Sequence, residues 1–271
     1  MTENKVRVLI LRTAGTNCDQ ETGFAFKYFG ARVEYAHINL VFNGKVSLRD
    51  FHILVIPGGF SYGDDIISGR ILANELRLRL GPEVQRFIED GKLIVGICNG
   101  FQVLVRAGIL PGEMEGKTLW TPETSQTCTL TYNDSAKFED RWVHLKRRGD
   151  SVWVKGLPDI IAVPVAHAEG KFLTETDGLL TGLKNNHQIA FCYCTENGNE
   201  PAYPGNPNGS VEHIAGITDK TGRILGMMPH PERHFFYYQH PCWTRLSAKG
   251  DLGDGAAVFQ NGINYAKKNL L

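Results

Sequence analysis

One cysteine stands where a strand-to-helix turn would expose it. The pentapeptide Gly96-Ile97-Cys98-Asn99-Gly100 joins the apolar run 93–97 to a helical pattern at 101–107. Small residues two before and two after the cysteine permit the strained turn of a nucleophile elbow. The N-terminus of the following helix would face the sulfur and favour a thiolate. A lone cysteine is more often a small buried side chain, but this context favours a nucleophile.

A thiol nucleophile needs a base, and residues 227–232 (Met-Met-Pro-His-Pro-Glu) supply one. Met228 and His230 each precede a proline, so we expect both to be extended, with side chains two apart on one face. Glu232 would then accept a hydrogen bond from one ring nitrogen of His230 while the other nitrogen faces Cys98. Alone, His230 would be interpreted as a surface histidine in a proline-rich turn.

The third requirement is an oxyanion hole, because attack on an amide carbon places negative charge on its oxygen. Gly58 and Gly59 follow the apolar run 53–56 and Pro57. The backbone N–H of Gly59 and that of Asn99, directly after the nucleophile, are the predicted donors. The alternative for the two glycines is an ordinary tight turn after a strand.

The elements that must position these residues repeat one pattern. Short β-branched runs at 6–11, 53–56 and 93–97 each meet a Gly-rich turn, and a helix is expected near 19–29. Such runs predict parallel strands buried on both faces. Ligands of open α/β sheets bind at the carboxyl ends of the strands, where these turns lie.

The rest of the chain predicts a β-rich insertion in a single domain of residues 1–271. Between about 121 and 219 the pattern changes to runs that favour antiparallel strands, at 128–132, 142–145, 160–165, 189–193 and 213–218. Residues 196–210, rich in Asn, Pro and Gly, predict a loop that is mobile or faces a partner. A strand at 223–228 and a closing helix at 256–268 follow.

Composition excludes several classes of protein. The 271 residues are 42% hydrophobic and carry 29 basic and 29 acidic side chains. A balanced charge argues against binding nucleic acid or anionic lipid. The run 6–11 is expected to be a strand rather than a signal peptide, and no apolar stretch reaches bilayer-spanning length. Six scattered cysteines predict no disulfide framework, so we expect a cytoplasmic protein.

Two motifs are set aside. Residues 112–118 resemble a phosphate-binding loop but have one residue too few between the glycines and follow no strand, so no ATP site is expected there. Cys192 and Cys194 lack a second pair at ligand spacing, so no metal site is predicted.

Together these segments resemble the class I glutamine amidotransferases over nearly the whole chain. Within that class they are similar to the glutaminase subunits of phosphoribosylformylglycinamidine synthase, of purine biosynthesis. The similarity is carried by residues 15–19, 58–65, 96–102 and 228–233, and residues 167–170 (His-Ala-Glu-Gly) resemble a further stretch of these subunits.

The resemblance implies a flavodoxin-like open, mostly parallel sheet with helices on both faces and an added antiparallel segment. It also implies an oxyanion hole of Gly59 and Asn99, and substrate contacts from Gln102, Gly58 and Phe60. No catalytic role is assigned to Cys18, which is expected in a helix-starting turn capped by Asn17 or Thr16.

The implied reaction hydrolyses L-glutamine through a thioester on Cys98. Ammonia would pass to a synthetase subunit that converts formylglycinamide ribonucleotide to formylglycinamidine ribonucleotide, with ATP and Mg²⁺ bound in that partner and no cofactor in this chain. A small accessory subunit is a further expected partner.

Three alternatives stay open at this point. The chain could serve as the glutaminase of another amidotransferase pathway, or as a non-catalytic regulatory or scaffold module on the same fold. A cysteine hydrolase of the peptidase or chaperone type would be expected to lack the Pro-His-Pro-Glu segment and Gln102.

Overall fold

The structure is a computed structural model that describes residues 5–112, 120–246 and 250–271. Within these ranges the strands are β1 (Arg7–Arg12), β2 (Arg32–His37), β3 (Ile53–Ile56), β4 (Leu93–Ile97), β5 (Cys128–Thr131), β6 (Glu139–Arg147), β7 (Ile160–His167), β8 (Lys171–Thr174), β9 (Ile189–Cys194), β10 (Ile214–Thr218) and β11 (Ile224–Met227). The α-helices are α1 (Asp19–Tyr28), α2 (Ile38–Phe42), α3 (Arg70–Leu78), α4 (Gly81–Glu89), α5 (Asn99–Arg106), α6 (Asp177–Asn185) and α7 (Ala256–Asn269).

A nine-stranded sheet runs through the molecule in the order β2-β1-β3-β4-β11-β10-β9-β6-β7. Its first five strands are parallel and follow the flavodoxin-like order, which confirms the predicted fold class. Strands β3, β4 and β11 are buried at every residue. Helix α1 packs with α7, and α3 packs with α4 and α5, so that helices cover the sheet.

The other half of the sheet is antiparallel. Strands β10, β9, β6 and β7 continue outward from β11, each antiparallel to its neighbour. The predicted antiparallel segment therefore extends the main sheet, and β5 and β8 pair separately as a two-stranded sheet.

Several elements have no counterpart in the sequence-based prediction. Strand β2 reads Arg-Val-Glu-Tyr-Ala-His and lies at the sheet edge with mostly half-buried residues, so it lacks an apolar run. Helices α3 and α4 between β3 and β4, and helix α6 within the β-rich segment, were also not predicted. Their apolar residues form one stripe of a surface helix rather than a continuous run.

The predicted cap of α1 is wrong. The residue at the N-cap position is Cys18, and no side chain caps the helix. The hydroxyl of Thr16 instead accepts a hydrogen bond from the N–H of Thr13 at 3.0 Å, and the amide oxygen of Asn17 accepts from the Cys18 thiol at 3.0 Å. Both side chains are engaged in the turn before the helix, which leaves neither free to cap it.

The segment 196–210 contains no helix or strand, as its composition predicts. Its C-terminal end is nevertheless fixed, because the buried Asn208 donates to the hydroxyl of Tyr193 at 3.1 Å and Ser210 accepts from the N–H of Phe172 at 2.9 Å. Residues 112–118 resemble a phosphate-binding loop, but all of them except Gly112 lie outside the described residues. None of the described helices combines the length and apolar composition that a membrane crossing requires.

Candidate active site

Cys98 lies in a strained turn between β4 and α5. Its backbone angles are φ 53° and ψ −109°, a left-handed conformation that costs about 1–3 kcal/mol in a residue other than glycine. Its N–H donates to the carbonyl of Met227 in β11 at 2.8 Å. A Cβ at Gly100 would lie 1.8 Å from the carbonyl oxygen of Ile56, and one at Gly96 would lie 2.5 Å from that of Gly100. Only glycine fits at either position, as the elbow pattern predicts.

His230 and Glu232 form a close pair at the end of β11. His230 is extended, with φ −102° and ψ 90°, as expected before a proline. Glu232, however, lies in a short 3-10 helix at Pro231–His234, so it reaches the ring across a helical turn rather than along a strand face. The Nδ1 atom of His230 is 2.6 Å from Oε1 of Glu232, and both residues are buried.

The imidazole of His230 is held next to the thiol of Cys98. A Cβ built on Gly58 would lie 2.8 Å from Cε1 of His230, 3.1 Å from Sγ of Cys18 and 3.4 Å from Cβ of Cys98, so these three side chains surround one point. Among the described residues, Nε2 of His230 has no hydrogen-bond partner. The backbone N–H of His230 donates to Pro164 in β7 at 2.8 Å and anchors the segment.

The charges around His230 favour its protonated form. Burial lowers the pKa of the ring, but the Glu232 carboxylate and the Cys98 sulfur outweigh burial and hold the pKa well above its ordinary value. A protonated imidazole beside a thiol stabilises the thiolate, which is the reactive form of cysteine. The ring can also return that proton to a leaving group.

The two predicted oxyanion donors are available. In the part of the chain that the structure describes, neither the N–H of Gly59 nor that of Asn99 donates to another group. Gly59 has φ 137°, which L side chains rarely adopt, and the neighbouring amide of Phe60 is fixed by a 2.9 Å bond to the carbonyl of Gly15. Two unpaired N–H groups beside a nucleophile provide the chemistry that an oxyanion requires.

Cys18 is a component of this site that the sequence reasoning missed. Its thiol is buried and accepts from Nη2 of Arg233 at 3.1 Å. Burial raises its pKa, although His230 opposes this effect. The motif at 15–19 contributed to the family resemblance, but nothing in its spacing relates it to residue 230.

The donor atoms of Cys18, His230 and Glu232 lie within 4.8 Å of one another, close enough to hold a metal ion. The 2.6 Å contact between His230 and Glu232 uses Nδ1 and Oε1, which leaves Nε2 and Oε2 without a partner among the described residues.

A cavity of about 200 Å³ opens onto Cys98 and His230. Its lining includes the half-exposed residues Phe60 and Phe138, the cationic side chain of Arg233 and the anionic side chain of Asp140. The remaining lining residues are Asn17, Cys18, Gly59 and Ala166.

Gln102 is buried and does not line this cavity. Its Nε2 donates to the carbonyl of Glu169 at 2.6 Å, and its Oε1 accepts from Nδ2 of Asn99 at 2.9 Å. Both ends of the amide are occupied, so the predicted contact with a substrate requires these bonds to rearrange. Gly58 lies close to His230 and Cys98, and Phe60 lines the cavity.

Comparison with known proteins identifies similar chains of nearly the same length. The family model of the CobB/CobQ-like glutamine amidotransferase domain matches residues 5–266. Phosphoribosylformylglycinamidine synthase subunit PurQ of Dehalococcoides mccartyi is 45% identical over 269 residues, covering 98% of this chain and 99% of that protein. The subunit PurQ of Archaeoglobus fulgidus is 41% identical over 280 residues, covering 99% of this chain and 100% of that protein.

Solved structures agree with these similarities. The structure of PurLQS from Thermotoga maritima contains a chain that is 29% identical, with a TM-score of 0.71, covering 96% of this chain and 99% of that chain. A protein from Thermoplasma acidophilum described as a GMP synthase component has a TM-score of 0.57 at 15% identity, covering 98% of this chain and 96% of that chain, which supports the fold alone.

Proposed function

This chain belongs to the CobB/CobQ-like glutamine amidotransferase family, and we propose that it is the glutaminase subunit of a phosphoribosylformylglycinamidine synthase. The family model matches nearly the whole chain, and PurQ subunits are more than 40% identical to it over full length. The observation that carries the chemistry is a buried His230–Glu232 pair held against Cys98 in an elbow.

The proposed reaction assigns a role to each residue. The Cys98 thiolate attacks the side-chain amide carbon of glutamine, and the oxyanion is stabilised by the N–H groups of Gly59 and Asn99. Protonated His230 gives its proton to the leaving nitrogen, so ammonia departs and a thioester remains. Water attacks the thioester while His230 takes its proton, and cleavage of the carbon–sulfur bond releases glutamate and restores Cys98. Glu232 holds the ring throughout.

The charges of the cavity suit glutamine as the substrate. Free glutamine carries an α-carboxylate and an α-ammonium group, and the cavity wall offers one side chain of each opposite charge, Arg233 and Asp140. The side chain of Arg233 is partly exposed and lines the cavity, where its present contacts are Sγ of Cys18 at 3.1 Å and Glu21 at 3.5 Å. We propose that Arg233 and Asp140 orient the substrate, with Phe60 as a wall.

Ammonia released here requires an acceptor, which we propose is a synthetase subunit that binds ATP and Mg²⁺ and amidates formylglycinamide ribonucleotide. The similarity to a chain of PurLQS from Thermotoga maritima supports assembly with such a partner. We further propose that a small accessory subunit joins the assembly, that this chain needs no cofactor or metal of its own, and that it acts in the cytoplasm.

The proposal is tested by replacing the nucleophile. Cys98→Ala should abolish glutamine hydrolysis, with a loss of several orders of magnitude, while the circular dichroism spectrum stays that of the wild type. The matched control is Cys242→Ala, because Cys242 is exposed and does not line the cavity. Activity within about tenfold of wild type in Cys98→Ala would remove Cys98 from the mechanism.

The same preparations separate the remaining alternatives. A scaffold module would hydrolyse nothing even with a synthetase subunit present, and a peptidase-like hydrolase would cleave peptide or ester substrates in preference to glutamine. Glutamine hydrolysis that responds to the synthetase of a different amidotransferase would indicate another pathway.

A further inference from the structure

The side chain of Asn99 ties the nucleophile elbow to the loop that follows β3. Asn99 is buried at the start of α5, directly after Cys98. Its Oδ1 accepts from the backbone N–H of Ser61 at 3.2 Å. Its Nδ2 donates to Oδ1 of Asp64 at 3.0 Å and to Oε1 of Gln102 at 2.9 Å. Both ends of this carboxamide are therefore engaged, two of the three bonds with the same loop.

That loop is held in a conformation that it would not adopt alone. Tyr62 has φ 56° and Asp64 has φ 54°, both left-handed. Each costs about 1–3 kcal/mol and persists only where surrounding contacts enforce it. The N–H of Tyr62 donates to Ala14 at 2.7 Å, and Asp64 accepts from the hydroxyl of Ser68 at 3.0 Å. The two Asn99 bonds reach the loop on either side of Tyr62 and connect it to the elbow.

One residue thus governs both proposed oxyanion donors. The first donor is the backbone N–H of Asn99 itself. The second is the N–H of Gly59, which lies two residues before Ser61 on the loop that the Asn99 side chain binds. Donors to an oxyanion must be placed within a few tenths of an ångström of the developing charge to be effective.

We propose that the Asn99 side chain is a positioning residue that sets the spacing of the two oxyanion donors. It acts through the loop and touches no substrate. The proposal rests on the proposed glutaminase function and adds to it a residue whose side chain has no part in the chemistry itself.

The test replaces Asn99 with aspartate in the complex with the synthetase subunit. Asn99→Asp keeps the shape and the acceptor for Ser61, but it removes the donor and places a carboxylate oxygen against Asp64 and Gln102. We expect kcat for glutamine hydrolysis to fall at least about tenfold, because loss of one oxyanion donor costs about 100- to 1,000-fold. KM should stay within about threefold of wild type, since binding of the ground state does not use the hole.

Alkylation of Cys98 by iodoacetamide separates positioning from general damage. This reaction displaces iodide from a saturated carbon, so it requires the thiolate but forms no oxyanion. The rate of Cys98 alkylation, followed by mass spectrometry because the chain has six cysteines, should fall by a clearly smaller factor than kcat does. Some loss is expected, because the added carboxylate disfavours a nearby thiolate. A merely structural role would slow hydrolysis and alkylation together.

The matched control is Asn261→Asp in α7. Asn261 also donates two hydrogen bonds through Nδ2, to the carbonyls of Trp153 at 3.0 Å and Lys155 at 2.8 Å. It does not line the cavity, so we expect wild-type rates of hydrolysis and alkylation. This control measures the effect of losing two amide donors outside the site.

A second variant, Asp64→Ala, removes the loop side of the same contact and keeps the test decisive if Asn99→Asp does not fold. It should show the same selective loss of kcat. Equal losses of hydrolysis and alkylation in the folded variants, or unchanged kcat in both, would overturn the proposal. A wild-type complex that fails to hydrolyse glutamine, while Cys98 is alkylated normally, would instead overturn the proposed function and this inference with it.

Discussion

At the scale of single residues, His230 and Glu232 form a buried pair beside the thiol of Cys98. Both side chains are buried, so their charges interact with little screening by solvent. The carboxylate contributes to holding the pKa of the ring well above its ordinary value. The second carboxylate oxygen, Oε2, has no partner among the described residues. The contact with the His230 ring is therefore the main side-chain interaction of Glu232 among the described residues.

The orienting role of Glu232 predicts unequal effects of two substitutions. Glu232→Gln should lower kcat less than His230→Ala does, because the base remains but loses its anionic partner. Steady-state hydrolysis with the synthetase subunit present measures both. An unchanged rate in Glu232→Gln would exclude an orienting role. The control is Glu139→Gln, because Glu139 is a buried acid that pairs with Arg141 and does not line the cavity.

The raised pKa of His230 also predicts a pH-dependent stability. Because the folded pKa lies above the unfolded value, the contribution of the pair is complete below about pH 6.5 and is lost as pH rises through the folded pKa. The difference in unfolding free energy between wild type and Glu232→Gln should therefore shrink as pH rises, as urea unfolding would show.

The control for that measurement is Asp134→Asn, which breaks an exposed pair with Lys171. No histidine is a member of this pair, so the stability difference should not vary across neutral pH. A wild-type advantage over Glu232→Gln that grows with pH would contradict the assigned charge state of His230.

At the scale of elements, the elbow depends on close approach of α5 to the sheet. The missing side chain of Gly100 lets the helix lie against the end of β3, where a Cβ would overlap the carbonyl of Ile56. This close approach places the N-terminus of α5 next to the loop that carries Gly59, at the carboxyl ends of β3 and β4. Close packing of the helix backbone against the strand backbone therefore positions the candidate site.

Gly100→Ala should consequently lower the unfolding free energy by about 2 kcal/mol or more, because helix and strand must separate to admit the methyl group. Hydrolysis should fall as well. Urea unfolding and the assay of ammonia release measure the two effects. Gly178→Ala in α6 is the control, since its nearest neighbour atom is 3.8 Å from the added Cβ and alanine is the better helix former. Equal stability of the two variants would disprove the close-packing argument.

At the scale of the whole molecule, the candidate site lies at the carboxyl ends of the central strands β3, β4 and β11 and opens to solvent through a small cavity. Exposed side chains line part of that opening, among them Phe60, Phe138 and Asp140. The loop that carries Gly59 belongs to the same rim and has a strained backbone. A partner that covers the opening of the cavity would contact this loop directly.

We therefore predict that the isolated chain hydrolyses glutamine slowly and that a synthetase subunit with bound nucleotide accelerates it. Ammonia without an acceptor wastes glutamine, and the partner can shift the loop only by binding its competent arrangement more tightly. Hydrolysis should be timed at saturating glutamine with and without the partner, using Cys98→Ala chain plus partner as the background. A free chain that already reaches the rate of the complex would disprove this activation.

The sequence by itself predicted four of the five parallel strands, β1, β3, β4 and β11, and the candidate site residues, whose catalytic roles stay predictions. The glycines around Cys98 and after β3 permit backbone conformations and close approaches that other residues do not. The prolines around His230 restrict the backbone of the residues before them, so each motif carries local structural information. The bounds of β3 and β4 follow from continuous apolar runs that only strands buried on both faces require.

Only the tertiary structure decided two other contacts between distant residues. Cys18 and Arg233 are 215 positions apart and are brought into contact at 3.1 Å by the packing of α1 against the segment after β11. The contact of Asn99 with Ser61 and Asp64 likewise depends on how β3 and β4 pair. Local sequence patterns indicate which chemistry a residue can perform. The residues that it contacts depend on sheet order and strand register, which are set by burial across the whole chain.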